Sequence, residues 1–173
     1  MEDKIIGRNP VMEAIRAGHE IDKIFVKKGA AEGSIVSIIK KAKERGIIVT
    51  ETEKQKLDAM AEGANHQGIV ALAAVCPYAS VGDILQRAEE KGKPPFVIIC
   101  DKITDPHNLG SIIRTANCVG ADGIIVPKRN SVGLSAVVSK TAAGALEYTP
   151  VAKVTNIART IDELKDKGLW IAG

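Results

Sequence analysis

Aromatic residues are scarce in this sequence of 173 residues, which has one Trp, two Tyr and two Phe. Proteins that read single-stranded nucleic acid commonly stack the bases on aromatic rings, so the composition excludes an extended stacking platform. The longest apolar run, residues 69–76, is far shorter than the roughly 20 residues of a membrane helix. The first four residues, Met1-Glu2-Asp3-Lys4, lack the features of a signal peptide. We therefore expect a cytoplasmic protein with no membrane partner.

The three cysteines, Cys76, Cys100 and Cys118, are odd in number and never stand in a CxxC pair. This pattern argues against a disulfide framework and a zinc knuckle, and it predicts free, buried thiols and no metal. The formal net charge is only +3, with 24 basic and 21 acidic residues. Any nucleic-acid binding must therefore depend on a local basic patch and not on the charge of the whole chain.

Several common catalytic motifs are also missing from the sequence. The absence of GxGxxG and GxxxxGK excludes a Rossmann dinucleotide site and a P-loop as they are usually written. The absence of HExxH and GxSxG excludes zinc proteases of that type and the nucleophile elbow of α/β-hydrolases.

The first part of the chain alternates between helical and extended patterns, which predicts a small α/β domain over residues 1–75. Gly18 and Gly46 are expected to end the first two helices. The sequence predicts helices capped by Asn9, Ser34 and Thr52, and strands over residues 23–27, 47–50 and 69–75.

Residues 76–94 are predicted to be a linker, which includes a helix at 81–91 and ends at Gly92-Lys93-Pro94-Pro95. A second α/β run follows over residues 95–173. Its continuous apolar strands and helical crossovers predict a parallel sheet covered on both faces. The predicted strands are 96–100, 123–126, 150–154 and 169–172, and the predicted helices are 108–119, a stretch ending at 146, and 156–167.

The loop after the first of these strands is rich in polar residues, and ligands of open parallel sheets bind at the carboxyl ends of strands. Arg114 is expected about one turn from the start of the following helix, where a cation beside free backbone N–H groups would bind an anion. A simpler interpretation remains open for each residue. These alternatives are that Asn108 only caps the helix, that Asp105-Pro106 is only a turn, and that Arg114 is a solvated side chain.

The string DPHNLGSIIRTA, residues 105–116, closely resembles the first signature motif of the SpoU (TrmH-like) RNA 2′-O-ribose methyltransferases of the SPOUT superfamily. Gly7-Arg8-Asn9-Pro10-Val11 and Asn65-His66-Gln67-Gly68-Ile69 resemble the two ends of that family's L30e-like substrate-binding domain. Residues 140–147, KTAAGALE, resemble the segment after the second strand of its catalytic domain. Within the family, the sequence is most similar to enzymes that methylate guanosine in 23S ribosomal RNA.

The resemblance implies an L30e-like RNA-binding domain at 1–75 and the first part of a parallel-sheet, trefoil-knot methyltransferase domain at 95–173. It implies S-adenosyl-L-methionine as methyl donor, ribosomal RNA as substrate and a homodimer as the active form. Asn108 and Arg114 match the invariant residues of the first motif, which makes them the catalytic candidates. Because an arginine stays charged in proteins, we expect Arg114 to hold a phosphate and stabilise the emerging alkoxide, with Asn108 orienting it.

RNA contact is expected to rest on Lys and Arg side chains that meet phosphates. For each candidate, a merely solvated charge is the alternative. The candidates are Arg8, Lys27, Lys28, Lys128 and Arg129.

Members of the family that this sequence resembles carry two further motifs, a Gly-Ser-Glu-Gly-like loop and a Ser-Leu-Asn segment. This sequence lacks both motifs. In the family those motifs build the knot, the S-adenosylmethionine pocket and much of the dimer interface. We therefore expect a carboxyl-terminally truncated chain in which the knot-forming segment is absent and the cofactor-binding residues lie beyond Gly173. The alternative function for such a chain is a catalytically inactive RNA-binding module.

Overall fold

A computed structural model describes residues 4–30 and 32–173. The chain divides into two units, unit 1 with residues 1–75 and 134–136, and unit 2 with residues 76–133 and 137–173. The elements of unit 1 are β1 (Lys4–Ile6), α1 (Arg8–Ala17), β2 (Ile21–Lys27), α2 (Ser34–Glu44), β3 (Ile48–Thr52), α3 (Lys54–Ala61) and β4 (Ile69–Ala73).

The sheet of unit 1 has the strand order β1-β4-β2-β3. β4 is antiparallel to both of its neighbours, whereas β2 and β3 are parallel. Alternation along β2 places Ile24 and Val26 in the core beneath α1 and α2, and Phe25 in a second cluster with Leu57 of α3. The helices thus cover both faces of the sheet, as expected for an α/β domain.

The helices of unit 1 do not begin at the side-chain caps that the sequence predicts. The N-cap residues are Gly7, Gly33 and Glu53, and none of them makes a side-chain capping bond. Gly7 and Gly33 have φ values of 97° and 62°, so the chain enters these helices through conformations that favour glycine. The predictions of Asn9, Ser34 and Thr52 as caps were therefore wrong. The Gly18 stop is confirmed by its left-handed φ of 78°.

Unit 2 contains a three-stranded parallel sheet with the order β5-β6-β7, which confirms the predicted parallel architecture. Ile125 of β6 packs in a cluster with Ile84 and Leu164, from the helices on one face of the sheet. The elements are α4 (Val81–Glu90), β5 (Val97–Ile99), α5 (Pro106–Cys118), β6 (Gly123–Pro127), α6 (Ala136–Ala142), a 3₁₀ turn (Ala145–Glu147), β7 (Val151–Val154) and α7 (Ile157–Asp166).

Helix α4 lies in the stretch predicted as a linker, yet it packs into the core of unit 2. Ser80 and Asp83 form a reciprocal capping box at its start. Ile84 is fully buried, and a Cβ added at Gly123 of β6 would lie 2.6 Å from its side chain. Residues 80–90 are thus held by the sheet, because a glycine at the start of β6 leaves room for Ile84.

Asp122 provides a buried polar anchor before β6. Its carboxylate accepts hydrogen bonds from Lys91 Nζ at 2.6 Å and from the Phe96 N–H at 2.9 Å. Burial raises the pKa of Asp122, but the hydrogen bonds from Lys91 and Phe96, with the charges of Lys91 and Arg87, outweigh burial and leave the pKa lowered. The carboxylate therefore joins the end of α4 to the start of β5.

Two further predictions for unit 2 were wrong. Residues 169–172 do not form a fourth strand, since they pair with no strand in the described chain, and Trp170 is 99% exposed. The prediction of buried thiols holds for Cys100 alone among the three cysteines that the structure describes, since Cys76 is half-buried and Cys118 is exposed. Burial raises the pKa of the Cys100 thiol.

Candidate functional site

The carboxyl ends of β5 and β6 open into two loops that are hydrogen-bonded to each other. The Ile103 carbonyl accepts from the Val132 N–H at 2.8 Å and from Ser131 Oγ at 3.2 Å. Lys102 and Asn130 adopt left-handed conformations, with φ of 57° and 58°. These bonds place the polar loop after β5 and the Gly- and Ser-containing loop after β6 at one edge of the sheet.

Helix α5 begins in the first of these loops and is capped by Asp105. The Asp105 side chain accepts a hydrogen bond from the Asn108 N–H at 2.8 Å, and Pro106 stands at the first helical position. The interpretation of Asn108 as the cap was therefore wrong, since the helix starts two residues earlier than predicted. Asn108 is exposed, and its side-chain amide makes no hydrogen bond within the described residues.

One face of α5 packs against the segment that follows β6. A Cβ added at Gly110 would lie only 2.5 Å from Thr141 Cβ and 2.9 Å from the Val138 carbonyl, so the two helices meet at this glycine. Further along, the buried Thr149 donates its hydroxyl to Asn117 Oδ1 at 3.3 Å. The signature segments 105–116 and 140–147 thus lie against each other.

Arg114 lies on this same face, four residues after Gly110 and three before Asn117. It is exposed and makes no hydrogen bond or ion pair within residues 4–30 and 32–173. The structure therefore places an uncompensated guanidinium beside the segment of α6 and the 3₁₀ turn. Such a group is available to bind a phosphate or a developing negative charge.

The predicted position of Arg114 near the helix start was wrong. Because α5 begins at Pro106, Arg114 lies about 12 Å further along the helix axis, too far to share the free N–H groups of the first turn. Asn108 and Arg114 are about 9 Å apart along the axis and about 120° apart around it. No hydrogen bond joins them in the described chain, so Asn108 does not orient Arg114 here.

The other two basic candidates of unit 2 follow β6 directly. Lys128 is half-buried, and its N–H donates to the Val154 carbonyl at 2.7 Å, which continues the pairing with β7. Arg129 is exposed. Both residues therefore lie at the carboxyl edge of the sheet, in the loop that contacts residue 103.

In unit 1, the two segments that resemble the ends of the family's substrate-binding domain meet around a cleft of about 560 Å³. Arg8 Nε donates to the Gln67 carbonyl at 3.0 Å, and the Arg8 N–H donates to Gln67 Oε1 at 3.1 Å. Arg8 Nη1 also lies 3.5 Å from Ser34 Oγ. The cleft is lined by Arg8, Lys27, Gly29, Ala30, Glu32, Ile35, Lys54, Asp58, Ala64, Asn65, His66, Gln67 and Gly68.

The floor of this cleft is held by His66, which is only 8% exposed. Its Nδ1 accepts from the Gly68 N–H at 2.9 Å, so Nε2 carries the proton and donates to Asp58 Oδ1, also at 2.9 Å. Hydrogen bonds from Lys54 and His66 hold the pKa of the Asp58 carboxyl below its usual value. The loop of residues 65–68 is thereby fixed against α3.

Lys27 and Lys28 differ in their surroundings. Lys27 is exposed, lines the cleft, and makes no side-chain ion pair with any residue that the structure describes. Lys28 is exposed as well, but its ammonium lies 3.6 Å from the Glu53 carboxylate. Lys27 therefore adds an uncompensated charge to the cleft, whereas Lys28 lies outside its lining and is partly neutralised.

Each half of the chain matches a known family. Residues 4–79 match the family described as RNA 2′-O ribose methyltransferase substrate binding, and residues 95–173 match the SpoU rRNA methylase family. YacO of Bacillus subtilis, assigned to the TrmH family of tRNA/rRNA methyltransferases, is 44% identical over 171 residues, which cover 99% of this chain and 68% of YacO. The chain belongs to the SpoU/TrmH family of RNA methyltransferases.

Other members of the family align over the whole of this chain. A Staphylococcus aureus (strain MSSA476) protein assigned to the TrmH family of tRNA/rRNA methyltransferases is 50% identical over 174 residues, covering 100% of this chain and 70% of its own. Two solved structures are also similar. The AdoMet-bound rRNA methyltransferase from Sinorhizobium meliloti has 24% identity and a TM-score of 0.43, with 94% of this chain and 57% of that chain covered. The SpoU methyltransferase AviRb from Streptomyces viridochromogenes in complex with AdoMet has 17% identity and a TM-score of 0.46, with 95% and 58% covered. This chain thus spans less than two thirds of either solved chain.

Two absences concern the part of this SpoU/TrmH chain that the structure describes. None of its helices combines the length and the apolar character that crossing a membrane requires. Its His, Cys, Asp and Glu side chains form no group of three or more that could hold a metal ion.

Sequence reasoning missed the residues that fix both candidate sites of this SpoU/TrmH chain. Asn65-His66-Gln67 lies in the segment that resembles the end of the substrate-binding domain, but the resemblance implies no role for these residues, and the pairing of His66 with Asp58 has no sequence signal. Thr141 lies in the family-like segment KTAAGALE, which likewise implies no role for it. A glycine at position 110, on an otherwise regular helix, was the one available hint that another backbone approaches there.

Proposed function

We propose that this protein transfers a methyl group from S-adenosyl-L-methionine to a ribose 2′-hydroxyl of ribosomal RNA, with guanosine of 23S rRNA as the target. The two family matches support ribose methylation of rRNA, since their descriptions name that chemistry and that substrate class. The observation that carries the proposal is the position of Arg114, unpaired and exposed between the two contacts of α5 with residues 137–149.

In this proposal, the Arg114 guanidinium binds a phosphate of the target nucleotide and stabilises the alkoxide that forms as the 2′-oxygen attacks the donated methyl carbon. The C–O bond would form as the methyl–sulfur bond breaks, with S-adenosylhomocysteine as the leaving group. Arginine remains protonated, so it does not act as a general base, and the hydroxyl proton passes to a phosphate oxygen or to water. A fixed cation beside a developing negative charge lowers the barrier without itself transferring a proton.

Asn108 has a separate role in the proposal. The side-chain amide of Asn108 is exposed and makes no hydrogen bond within the described residues, so it is available to RNA. We assign Asn108 to contact with the nucleotide at the start of α5 and not to the orientation of Arg114.

The residues at the carboxyl edge of unit 2 do not by themselves fit S-adenosylmethionine. Lys102, Lys128 and Arg129 are cationic, and the Asp101 carboxylate lies 3.9 Å from Lys102 Nζ. Such a set favours a phosphate over the sulfonium cation of S-adenosylmethionine. We therefore assign no residue of this chain to the methyl donor and place Lys128 and Arg129 on the RNA backbone.

Arg8, Lys27 and Lys28 bind RNA phosphates from unit 1, because Lys and Arg supply most of the affinity of proteins for nucleic-acid backbones. The active form is a homodimer in the cytoplasm. This last part rests on the resemblance to the SpoU family alone.

The proposal is tested by deleting the gene in its host and mapping ribose methylation over the ribosomal RNA. We expect the loss of one 2′-O-methyl group, at a guanosine in 23S rRNA, and its return when the gene is restored. An unchanged methylation map, together with RNA binding by the purified chain, would instead identify an RNA-binding module without turnover.

A further inference from the structure

The cleft of unit 1 combines two kinds of recognition group. Arg8 and Lys27 supply positive charge, and neither forms an ion pair within the described residues. The Lys54 ammonium, in contrast, lies 3.0 Å from the Asp58 carboxylate and is neutralised by it. Glu32 and the amides of residues 65 and 67 add hydrogen-bonding groups to the same lining. An anionic ligand that also carries a polar ring fits this mixture.

Arg8 is fixed by neutral acceptors, and this leaves its charge uncompensated. Its Nε is bonded to the Gln67 carbonyl and its Nη1 approaches Ser34 Oγ, whereas a carboxylate would cancel the charge. A guanidinium held in this way has already lost much of its rotational freedom on folding. Less entropy is therefore lost when it binds a phosphate.

The two amide side chains present donors to the cleft. Asn65 Oδ1 accepts from the Gln67 N–H at 3.2 Å, and Gln67 Oε1 accepts from the Arg8 N–H at 3.1 Å. Because both amide oxygens are engaged, their NH₂ groups are the atoms left for a ligand. A base with keto oxygens, such as guanine or uracil, matches these donors.

We propose that this cleft binds one unpaired nucleotide of the substrate RNA, with its phosphate on Arg8 and Lys27 and its base against the amides of Asn65 and Gln67. The inference rests on the proposed function, since it takes RNA as the substrate. An unpaired nucleotide is required because the Watson–Crick edge of a paired base is already hydrogen-bonded, and side chains cannot read the deep, narrow major groove of an A-form helix. The volume of about 560 Å³ lies within the range of small-ligand pockets.

His66 is the positioning residue of this subsite. It is buried, and its two ring nitrogens bond to the Gly68 N–H and to Asp58, so it fixes the loop that carries Gln67. His66→Asn keeps an acceptor near the position of Nδ1, whereas His66→Ala removes it. A positioning role therefore predicts that the Asn variant retains RNA affinity which the Ala variant loses.

The test measures fluorescence anisotropy of the 173-residue chain with three labelled RNA duplexes of one sequence. The first carries a single bulged uridine, the second an abasic bulge, and the third no bulge. We expect the bulged uridine to bind about tenfold more tightly than the plain duplex, with the abasic bulge between them. Arg8→Ala and Lys27→Ala should remove that preference and lower the salt slope of binding by about one each.

Arg16→Ala is the matched control, because Arg16 lies on the same helix as Arg8 but does not line the cleft. It should leave the bulge preference intact. Lys27→Ala keeps the test informative if Arg8→Ala unfolds unit 1, since the Lys27 side chain has no bond in the described chain that the fold depends on. His66→Asn should retain the preference and His66→Ala should lose it.

Equal affinity for bulged and plain duplexes, or a preference that survives Arg8→Ala and Lys27→Ala, would overturn the subsite. The absence of any RNA binding would overturn it as well. Neither result bears on the methylation map of the deletion strain, so failure of the subsite is distinguishable from failure of the proposed function.

Discussion

Arg8 in unit 1 and Arg114 in unit 2 both lie in segments that resemble family motifs, but they differ in burial and in hydrogen bonding. Arg8 is half-buried and bonded to Gln67, whereas Arg114 is exposed and has no bond in the described residues. A guanidinium fixed before binding favours recognition, because the entropic cost of ordering it belongs to folding. A guanidinium without partners can be lost with little effect on stability. Replacing Arg8 should therefore affect both stability and RNA binding, whereas replacing Arg114 should affect activity with little change in stability.

The largest effect is expected for Arg114→Ala. Replacing the proposed alkoxide-stabilising group should lower ribose methylation about 100-fold or more, the usual loss when one such donor is removed. The free energy of unfolding should change by no more than about 0.5 kcal/mol, since the side chain has no partner in the described structure. Mapping of 23S rRNA from a strain that carries the variant measures the first quantity, and urea denaturation of the purified chain measures the second.

Arg159→Ala is the matched control for this variant. Arg159 is also on an exposed helix face of unit 2, where its Nε bonds to Glu163 at 2.8 Å. Methylation should remain at the wild-type level. Full methylation by the Arg114 variant would refute the catalytic role of Arg114, and a large loss of stability would refute the description of Arg114 as unpartnered.

A second effect is expected for Gly110→Ala. This variant tests whether the stability of unit 2 depends on the close packing of α5 against α6 beside Arg114. The new Cβ would lie 2.5 Å from Thr141 Cβ, so α5 and α6 must separate. We expect a loss of about 2 kcal/mol in the free energy of unfolding, measured by urea denaturation. Gly82→Ala on α4 is the control, because its Cβ meets Ser80 Oγ at 3.4 Å, an ordinary contact. The control should be neutral or slightly stabilising, and equal losses in both variants would contradict the packing argument.

The architecture of unit 2 could be predicted because its signals are local. Each apolar strand and each helix of 95–167 has its own pattern, and a parallel sheet follows from their alternation. The caps of unit 1 could not be predicted, because Asn9, Ser34 and Thr52 are good capping residues by type. The chain instead enters α1 and α2 through glycines with positive φ. That backbone conformation is set by the preceding loop, so the helical pattern does not reveal it.

The sequence names residues for the candidate sites, but it does not predict how those residues are arranged. Arg8 and Arg114 were named from motif resemblance, whereas the bonds of Arg8 to Gln67 join residues 59 positions apart. No periodic pattern encodes a pairing of that kind. The role of α4 was missed for a similar reason, since the fit of Ile84 to Gly123 appears only when the helix lies on the sheet.

A third effect is expected for Asp122→Asn. The Asp122 carboxylate in unit 2 is fixed by hydrogen bonds, as the Arg8 guanidinium is in unit 1. The amide can still accept from the Phe96 N–H, but the pair with Lys91 is lost. We expect a loss of about 1 kcal/mol at neutral pH, since Lys91 is itself partly exposed. Urea denaturation as a function of pH measures it, with the exposed Asp162→Asn on α7 as the control that should show no loss.

The pH dependence of this effect has a definite sign. The folded-state pKa of Asp122 is lowered, so its contribution is fully present above the unfolded-state pKa of roughly 4 and disappears as the pH falls through the folded value. The stabilities of the wild type and of Asp122→Asn should therefore converge below about pH 4. A constant difference down to the acid limit would show that the Asp122 charge is not its source.

The smallest effect is expected for Lys28→Ala, which repeats within unit 1 the contrast between a paired and an unpaired cation. Lys28 does not line the cleft, and its ammonium lies 3.6 Å from the Glu53 carboxylate, so it should contribute little to binding there. Removing it should therefore change the RNA affinity only about twofold, as measured by anisotropy. Lys27→Ala, which removes a charge with no partner in the described chain, should have the larger effect on the same RNA. If Lys28→Ala weakens binding more than Lys27→Ala does, the cleft is not the centre of the RNA contact.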